Sequence, residues 1–133
     1  MSTPASTREL AAITRHPETE AFQTHAAEGR FVVPRCASCG KWHWHPRALC
    51  PFCFSDAVTW ETASGHGSVY SYAVMRRAKP VYCIAYVKLA EGPVMMTNIV
   101  DVNMDEVRIG MAVQVVFEAT VNGVWVPMFK AAS

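Results

Sequence analysis

Between Arg35 and Ser55 the chain reads RCASCGKWHWHPRALCPFCFS. Two C-x-x-C pairs, Cys36/Cys39 and Cys50/Cys53, are separated by ten residues. A C-x-x-C pair lets two thiolates from one tight turn reach the same ion. Two such turns supply four sulfurs, a tetrahedral set suited to zinc. Four cysteines also close the coordination shell, so a structural zinc is expected rather than a catalytic one. Gly40 follows Cys39 where a metal knuckle wants a residue tolerant of positive φ. Phe54 stands at the matching place in the second knuckle. His43 and His45 lie between the pairs as spare donors. The simpler expectation is that WHWHP is a short β-hairpin whose side chains pack or face solvent. Iron in a four-sulfur site would give a redox protein, and nothing else in the sequence supports electron transfer.

The chain of 133 residues is long enough for one ordinary domain or two small modules sharing an interface. Half of it is hydrophobic and 17% is charged, which favours a packed fold over disorder. A formal net charge of +1 argues against a dedicated nucleic-acid binder. The opening MSTPASTRELAAITRHPE lacks the apolar stretch of a secretion signal, and no apolar run is long enough to span a bilayer. A cytoplasmic, non-membrane protein is expected. In a reducing compartment paired cysteines point to metal rather than disulfides. The fifth cysteine, Cys83, sits in the apolar run VYCIAYV and is expected to be a buried, inert thiol.

Three segments are predicted: a helical N-terminal segment (1–29), a zinc ribbon (30–63) and a β-barrel (64–133). In the first, Thr7 caps a short helix carrying Leu10 and Ile13 on one face. Pro17 then opens a second helix that ends at Gly29. In the second, FVV enters the cysteine motif and VTWET leaves it, both strand-like. The third holds five alternating runs: GHGSVYSYAV, VYCIAYVKL, VMMTNIVDV, VQVVFEATV and VWVPMF. Asn122-Gly123 is a hairpin signal between the last two. Five strands in so short a stretch suit an OB-fold. The predicted fold is therefore mainly β, with short N-terminal helices, a rubredoxin-like zinc ribbon and a five-stranded OB-fold barrel.

No nucleotide-binding, serine-hydrolase or metalloprotease motif is present. Gly65-His66-Gly67 reads first as a turn, and Asp101, Asp105 and Glu106 as a solvated loop. Arg76, Arg77 and Lys79 form a basic loop between the first two barrel strands, a candidate contact for phosphates. Tyr70, Tyr72, Tyr82 and Tyr86 are candidates for packing or for base stacking, and a small barrel that needs filling favours packing. Trp42, Trp44, Phe52 and Phe54 surround the cysteines with more apolar area than so small a ribbon can bury. They are candidate partner-interface residues.

Several stretches resemble a known family: PETEAFQTHAAEGRFVVPRCASCG, HPRALCPFC, TWETASGHGSVYSYAV and PVYCIAYVKLAEGP, with TNIVD, RIGMAVQVVF and VPMFKA further on. From Pro17 onward the chain is similar to the zinc-ribbon/OB-fold proteins associated with acyl-CoA metabolism, once catalogued only as a domain of unknown function. The resemblance implies a small accessory subunit, non-catalytic or co-catalytic, without a full catalytic set of its own. Its expected partner is a thiolase-fold enzyme (an acyltransferase, thiolase or aldolase) or a hot-dog hydratase. It implies a hetero-oligomer in which ribbon and barrel lie against the larger enzyme, stabilise it and help position or channel acyl-CoA. It also assigns Cys36, Cys39, Cys50 and Cys53 as metal ligands. The alternative is a single-stranded nucleic-acid-binding module, since ribbons and OB-folds both serve that purpose.

Overall fold

A computed structural model describes Leu10 and residues 17–132. The first predicted helix lies outside the described residues except for Leu10. The second is α1 (Glu20–Ala27), one turn shorter than expected, with Pro17 in the turn that precedes it. Its end follows the sequence: Gly29 adopts φ 78°, and the Arg30 N–H returns to the His25 carbonyl at 2.9 Å. Phe22 and Ala26 supply its buried face.

Strands β1 (Val32–Cys36) and β2 (Val58–Thr62) pair antiparallel and flank the cysteine motif. WHWHP is not a hairpin. Trp42 makes a single bridge to Arg35, and the chain then bends through residues 43–46. Two prolines fix the reason. Pro34 accepts the His43 N–H through its carbonyl but has no N–H of its own to continue a ladder. Pro46 likewise removes a donor where a return strand would run.

The remaining strands are β3 (His66–Met75), β4 (Tyr82–Leu89), β5 (Val94–Ile99), β6 (Ala112–Ala119) and β7 (Trp125–Ala131). They close in the order β3-β4-β5-β7-β6, with β6 returning antiparallel to β3 and β5 meeting β7 in parallel. This is the closed five-stranded barrel expected of an OB-fold. A 3-10 turn (Met104–Glu106) joins β5 to β6, and the Thr120 N–H donates to the Val124 carbonyl across the Asn122-Gly123 hairpin. Alternation places Cys83, Ala85, Val87 and Leu89 inside, opposite Met95, Ile99 and Phe129.

The tyrosines break the simplest expectation. A β-bulge between Val69 and Ser71 inserts one extra residue in β3, so alternation stops at Tyr70. Tyr70 is 61% exposed, whereas Tyr72 shares the face of buried Ala85 and is 38% exposed. Tyr86 lies on the outer face beside exposed Met96. The barrel is filled by aliphatic residues and Phe129, not by tyrosine.

Ribbon and barrel are joined by aromatic rings. Phe22 meets Trp44 at 4.9 Å and Trp60 and Phe31 at 6.2 Å between ring centroids. Phe31 in turn meets Phe129 at 6.2 Å and Phe117 at 6.3 Å, closing one end of the barrel. Such contacts contribute about 0.5–1.5 kcal/mol each beyond the area they bury.

Candidate metal centre and binding face

The two cysteine pairs fold as matching knuckles. The Gly40 N–H donates to the Cys36 carbonyl at 2.8 Å, and the Phe54 N–H to the Cys50 carbonyl at 2.8 Å. Gly40 has φ 75° and Phe54 φ 63°, so both knuckles turn through the left-handed region directly after their second cysteine. Amides then face the sulfurs: Cys39 N–H lies 3.5 Å from Cys36 Sγ, and Phe52 N–H 3.4 Å from Cys50 Sγ. Ser38 and Ser55 hydroxyls join the knuckles at 2.9 Å.

All four sulfurs lie within 4.8 Å of one another, with Cys36–Cys53 at 3.6 Å and Cys39–Cys50 at 3.7 Å. Zinc–sulfur bonds of about 2.3 Å set tetrahedral edges of about 3.8 Å. The donor set therefore fits a structural zinc ion, held by Cys36, Cys39, Cys50 and Cys53. Such an ion would cross-link two turns otherwise joined by the Ser38–Ser55 hydroxyl contact and the Ala37 N–H to Ala57 carbonyl bond. Neither histidine joins the cluster: His43 is buried with Nδ1 facing the His45 carbonyl at 3.2 Å.

The thiols show why a cation belongs here. The Cys39 amide, with weaker help from the Cys53 sulfur, the Ser38 amide and the Cys39 sulfur, pulls the Cys36 thiol down to about 6 against the push of burial. Burial pushes Cys50 up, but the Cys53 and Phe52 amides outweigh it and hold that thiol below its usual value. The Ser55 amide favours a thiolate at Cys53, yet the Cys36 sulfur, burial and the remaining sulfurs push it up to about 12. Four thiolates at this spacing repel one another until a divalent cation neutralises them.

Phe54 departs from the knuckle ideal at a cost. A non-glycine residue in the left-handed region is strained by about 1–2 kcal/mol. The ring gains little in return, being 75% exposed. Phe54→Gly is expected to raise stability by about 0.5–1 kcal/mol after glycine's own entropy cost is subtracted. Urea denaturation of the metal-loaded protein measures it; a loss of stability would show that the ring makes contacts that outweigh the strain.

Around the centre, Phe52 and Leu49 are also exposed, and Lys41 Nζ sits 4.9 Å from the Phe52 ring centroid. Trp42 and Trp44 are half-buried against the core, with the Arg35 guanidinium 5.4 Å from the Trp42 ring. Of the four candidate interface residues, the phenylalanines are therefore the open ones.

The basic loop follows β3, as the sequence predicts. Arg76 pairs with Asp105 at 3.1 Å, both side chains largely in solvent, and Arg108 donates to the Asp105 carbonyl. Cys83 is fully buried, and burial pushes its thiol up, away from nucleophilic use. His66 opens β3 opposite Gln114 rather than forming a turn.

Sequence reasoning missed one feature, a groove of about 780 Å³ on the outer face of β4, β5 and β7. Tyr82, Ile84 and Tyr86 form its floor with Met96 and Asn98, and Trp44 and His45 from the ribbon wall one side. This is the barrel face that OB-folds commonly use for ligands. The strand alternation could have exposed it: Tyr82, Ile84 and Tyr86 are outward positions bearing large apolar groups. The ribbon wall is nonlocal and has no such signal.

Residues 24–59 match the family model described as ChsH2, rubredoxin-like zinc ribbon domain, and residues 60–118 match ChsH2, C-terminal OB-fold domain. Over 97% of its length the chain is 34% identical to a probable enoyl-CoA hydratase alpha subunit of Thermomonospora curvata, of which it spans 41%. It is 37% identical to a DUF35 domain-containing scaffold protein of Methanocaldococcus jannaschii, over 62% of this chain and 64% of that one. It therefore spans less than two thirds of either relative. A scaffold protein of the same description from Pyrococcus furiosus is 35% identical, over 65% of this chain and 68% of that one. Among solved structures, a chain of the Ltp2-ChsH2(DUF35) aldolase superposes with a TM-score of 0.81 at 29% identity. The match covers 92% of this chain and all of that one. With its paired knuckles, its closed barrel and these likenesses, the chain belongs to the ChsH2/DUF35 family of zinc-ribbon and OB-fold proteins.

Proposed function

We propose that the chain is an accessory subunit of an acyl-CoA-using enzyme, without a catalytic set of its own. The observation that carries this is the likeness to a whole chain of the Ltp2-ChsH2(DUF35) aldolase. The hydratase-subunit and scaffold relatives support the same reading. The partner is a thiolase-fold acyltransferase, thiolase or aldolase, or a hot-dog hydratase, and the assembly is a cytoplasmic hetero-oligomer. The subunit stabilises its partner and helps position acyl-CoA.

Two surfaces suit these roles. Phe52 and Phe54, with Trp42 and Trp44 behind them, offer an apolar tip whose burial needs a partner. Strain kept at an exposed Phe54 is the kind retained for function. Arg77 and Lys79 are the better phosphate contacts in the basic loop, because Arg76 is already engaged by Asp105. Division into segments 1–29, 30–63 and 64–133 is supported by the two-stranded sheet ending at Thr62 and the barrel beginning at His66. Among the described residues no helix is long and apolar enough to cross a membrane.

The test is a tagged purification from the native host, with nuclease added to half the sample. A thiolase-fold or hydratase protein is expected in stoichiometric amount in both halves, and its loss from F52S/F54S would locate the contact. Nucleic acid in the untreated half, with proteins lost on digestion, would overturn the proposal in favour of a single-stranded nucleic-acid binder.

A further inference from the structure

Strands β5 and β7 meet at one end and part at the other. Among the described residues they pair only at Ile99 and Phe129, and the Val100 N–H donates to the Phe129 carbonyl at 2.8 Å. A little further along, Thr97 Oγ1 donates to the Pro127 carbonyl at 3.0 Å. There the ladder stops, and Pro127 supplies the reason. Continued parallel pairing would have residue 127 donate its N–H to the Met96 carbonyl, and proline has no N–H.

The open stretch keeps its hydrogen-bonding groups. The Leu89 N–H donates to the Pro93 carbonyl at 2.8 Å, which marks that pair as a hydrogen-bonded one in the β4–β5 register. Such pairs recur at every second residue. Met95 and Thr97 therefore bond to β4, whereas Val94 and Met96 turn their N–H and C=O groups the other way, toward β7. The Thr120–Val124 bond sets the β6–β7 register in the same manner and turns Trp125 toward β5. The groove lies along this seam, with Val94, Met95 and Met96 on one side and Val126, Pro127 and Met128 on the other.

The seam's own chemistry selects what covers it. No charged residue lines the groove, and Tyr86 and Met96 on its floor are exposed. Partial charges alternate along the β5 edge, N–H and then C=O. An extended peptide backbone carries the complementary series at the same repeat. An acyl chain or an aromatic ring would bury those groups unpaired, at a cost. Trp44 and His45 wall the groove, so a slender tail or loop reaches the edge where the side of another barrel does not.

We propose that the β5–β7 seam docks an extended, uncharged tail or loop of a partner protein, added as a strand to the edge of β5. Its alternate apolar side chains pack on the groove floor. This contact lies on the barrel, apart from Phe52 and Phe54 on the ribbon, and it does not depend on the reaction the partner catalyses.

The test uses the full chain, metal-loaded, and blocked hexapeptides in which valine or leucine alternates with threonine. Each peptide is paired with a copy N-methylated along its length, which keeps the side chains and removes the backbone donors. The readouts are affinity and exchange of the Met96 amide. Unmodified peptide at saturation is expected to slow that exchange about tenfold or more, and the methylated copies to bind about tenfold more weakly, the equivalent of two backbone hydrogen bonds. Pro127→Ala restores the missing donor. It is expected to protect the Met96 amide without peptide and to weaken binding to the same degree. Met96→Pro removes a donor that the β4 ladder does not use and should weaken binding likewise. Unchanged zinc content and near-UV spectrum show that each variant is folded. Equal binding of methylated and unmodified peptides would make the groove a plain apolar site and overturn the proposal. So would an absence of binding by every peptide, or a Met96 amide already protected in the free parent. Protection that grows with protein concentration would overturn it too, by assigning the edge to a second copy of the chain.

Discussion

Removing the metal with a strong chelator is expected to unfold the ribbon and leave the barrel standing. Structural zinc contributes about 10–16 kcal/mol in small four-ligand modules, whereas a whole domain is stable by only about 5–15 kcal/mol. Without the ion, the knuckles retain the Ser38–Ser55 contact and a few amide bonds, and four crowded thiols of opposed proton affinity. The two-stranded sheet buries little on its own. Its Val33 and the rings of Phe22, Trp44 and Trp60 are ordered by the same loops that the cysteines anchor. The barrel shares one continuous core with the ribbon, but its part around Val87, Leu89, Ile99 and Phe129 is enclosed by the closed sheet and should persist. The expected record is a lost near-UV tryptophan signal, rapid exchange at the amides of Cys36, Gly40 and Phe54, and retained protection along β4. The groove should lose its Trp44 wall at the same time. An unchanged near-UV spectrum after the ion has left would mean that the aromatic packing holds the ribbon without it.

The parts that could be read from the sequence are those with a local cause. Alternation marked all five barrel strands because each presents one face to a single core. Asn122-Gly123 marked its hairpin because positive φ is available there, and Gly123 indeed has φ 80°. The cysteine spacing marked the metal centre because ligand geometry is set within four residues. What stayed hidden depends on neighbours distant in sequence. The bulge at Tyr70 is a register event between β3 and β4, and no periodicity in β3 announces it. The same is true of the path of WHWHP, where Trp44 is drawn onto Phe22 of the helix instead of onto a return strand. Phe54 takes the place of a knuckle glycine, and its φ of 63° shows that the knuckle geometry overrides residue preference. The groove draws on the ribbon, three strands and Leu10, so no single stretch encodes it.

The glycines of Ser64-Gly65-His66-Gly67 are where a small substitution should do the most damage to the barrel. Gly67 pairs with Leu89 of β4 and with Val113 of β6, so it sits where the sheet closes on itself. A Cβ there would lie 2.6 Å from the Lys88 carbonyl oxygen, 2.8 Å from Val87 Cγ1 and 3.3 Å from Leu89 Cα. Two of those three atoms are backbone, and they are locked in the β3–β4 ladder. The neighbouring strand cannot give way by rotating a side chain, so it must move and carry buried Val87 and Leu89 with it. Gly67→Ala is expected to cost about 3 kcal/mol, the upper end for overpacking a tight core. Gly67→Val is expected to prevent barrel closure altogether. His66 provides the control: it is exposed, and His66→Ala should stay within about 0.5 kcal/mol of the parent. Urea midpoints at constant m-value measure all three. A Gly67→Ala protein as stable as the parent would mean that β3 and β4 separate freely at this end. The motif would then have to be explained by the turn at Gly65, whose φ of 79° disfavours any side chain and where an added Cβ would meet Val115 Cγ1 at 2.7 Å. If instead Gly67→Ala loses the barrel while the zinc knuckles stay loaded, the motif marks the closure of the sheet, and ribbon and barrel fold as separable units joined through Phe31.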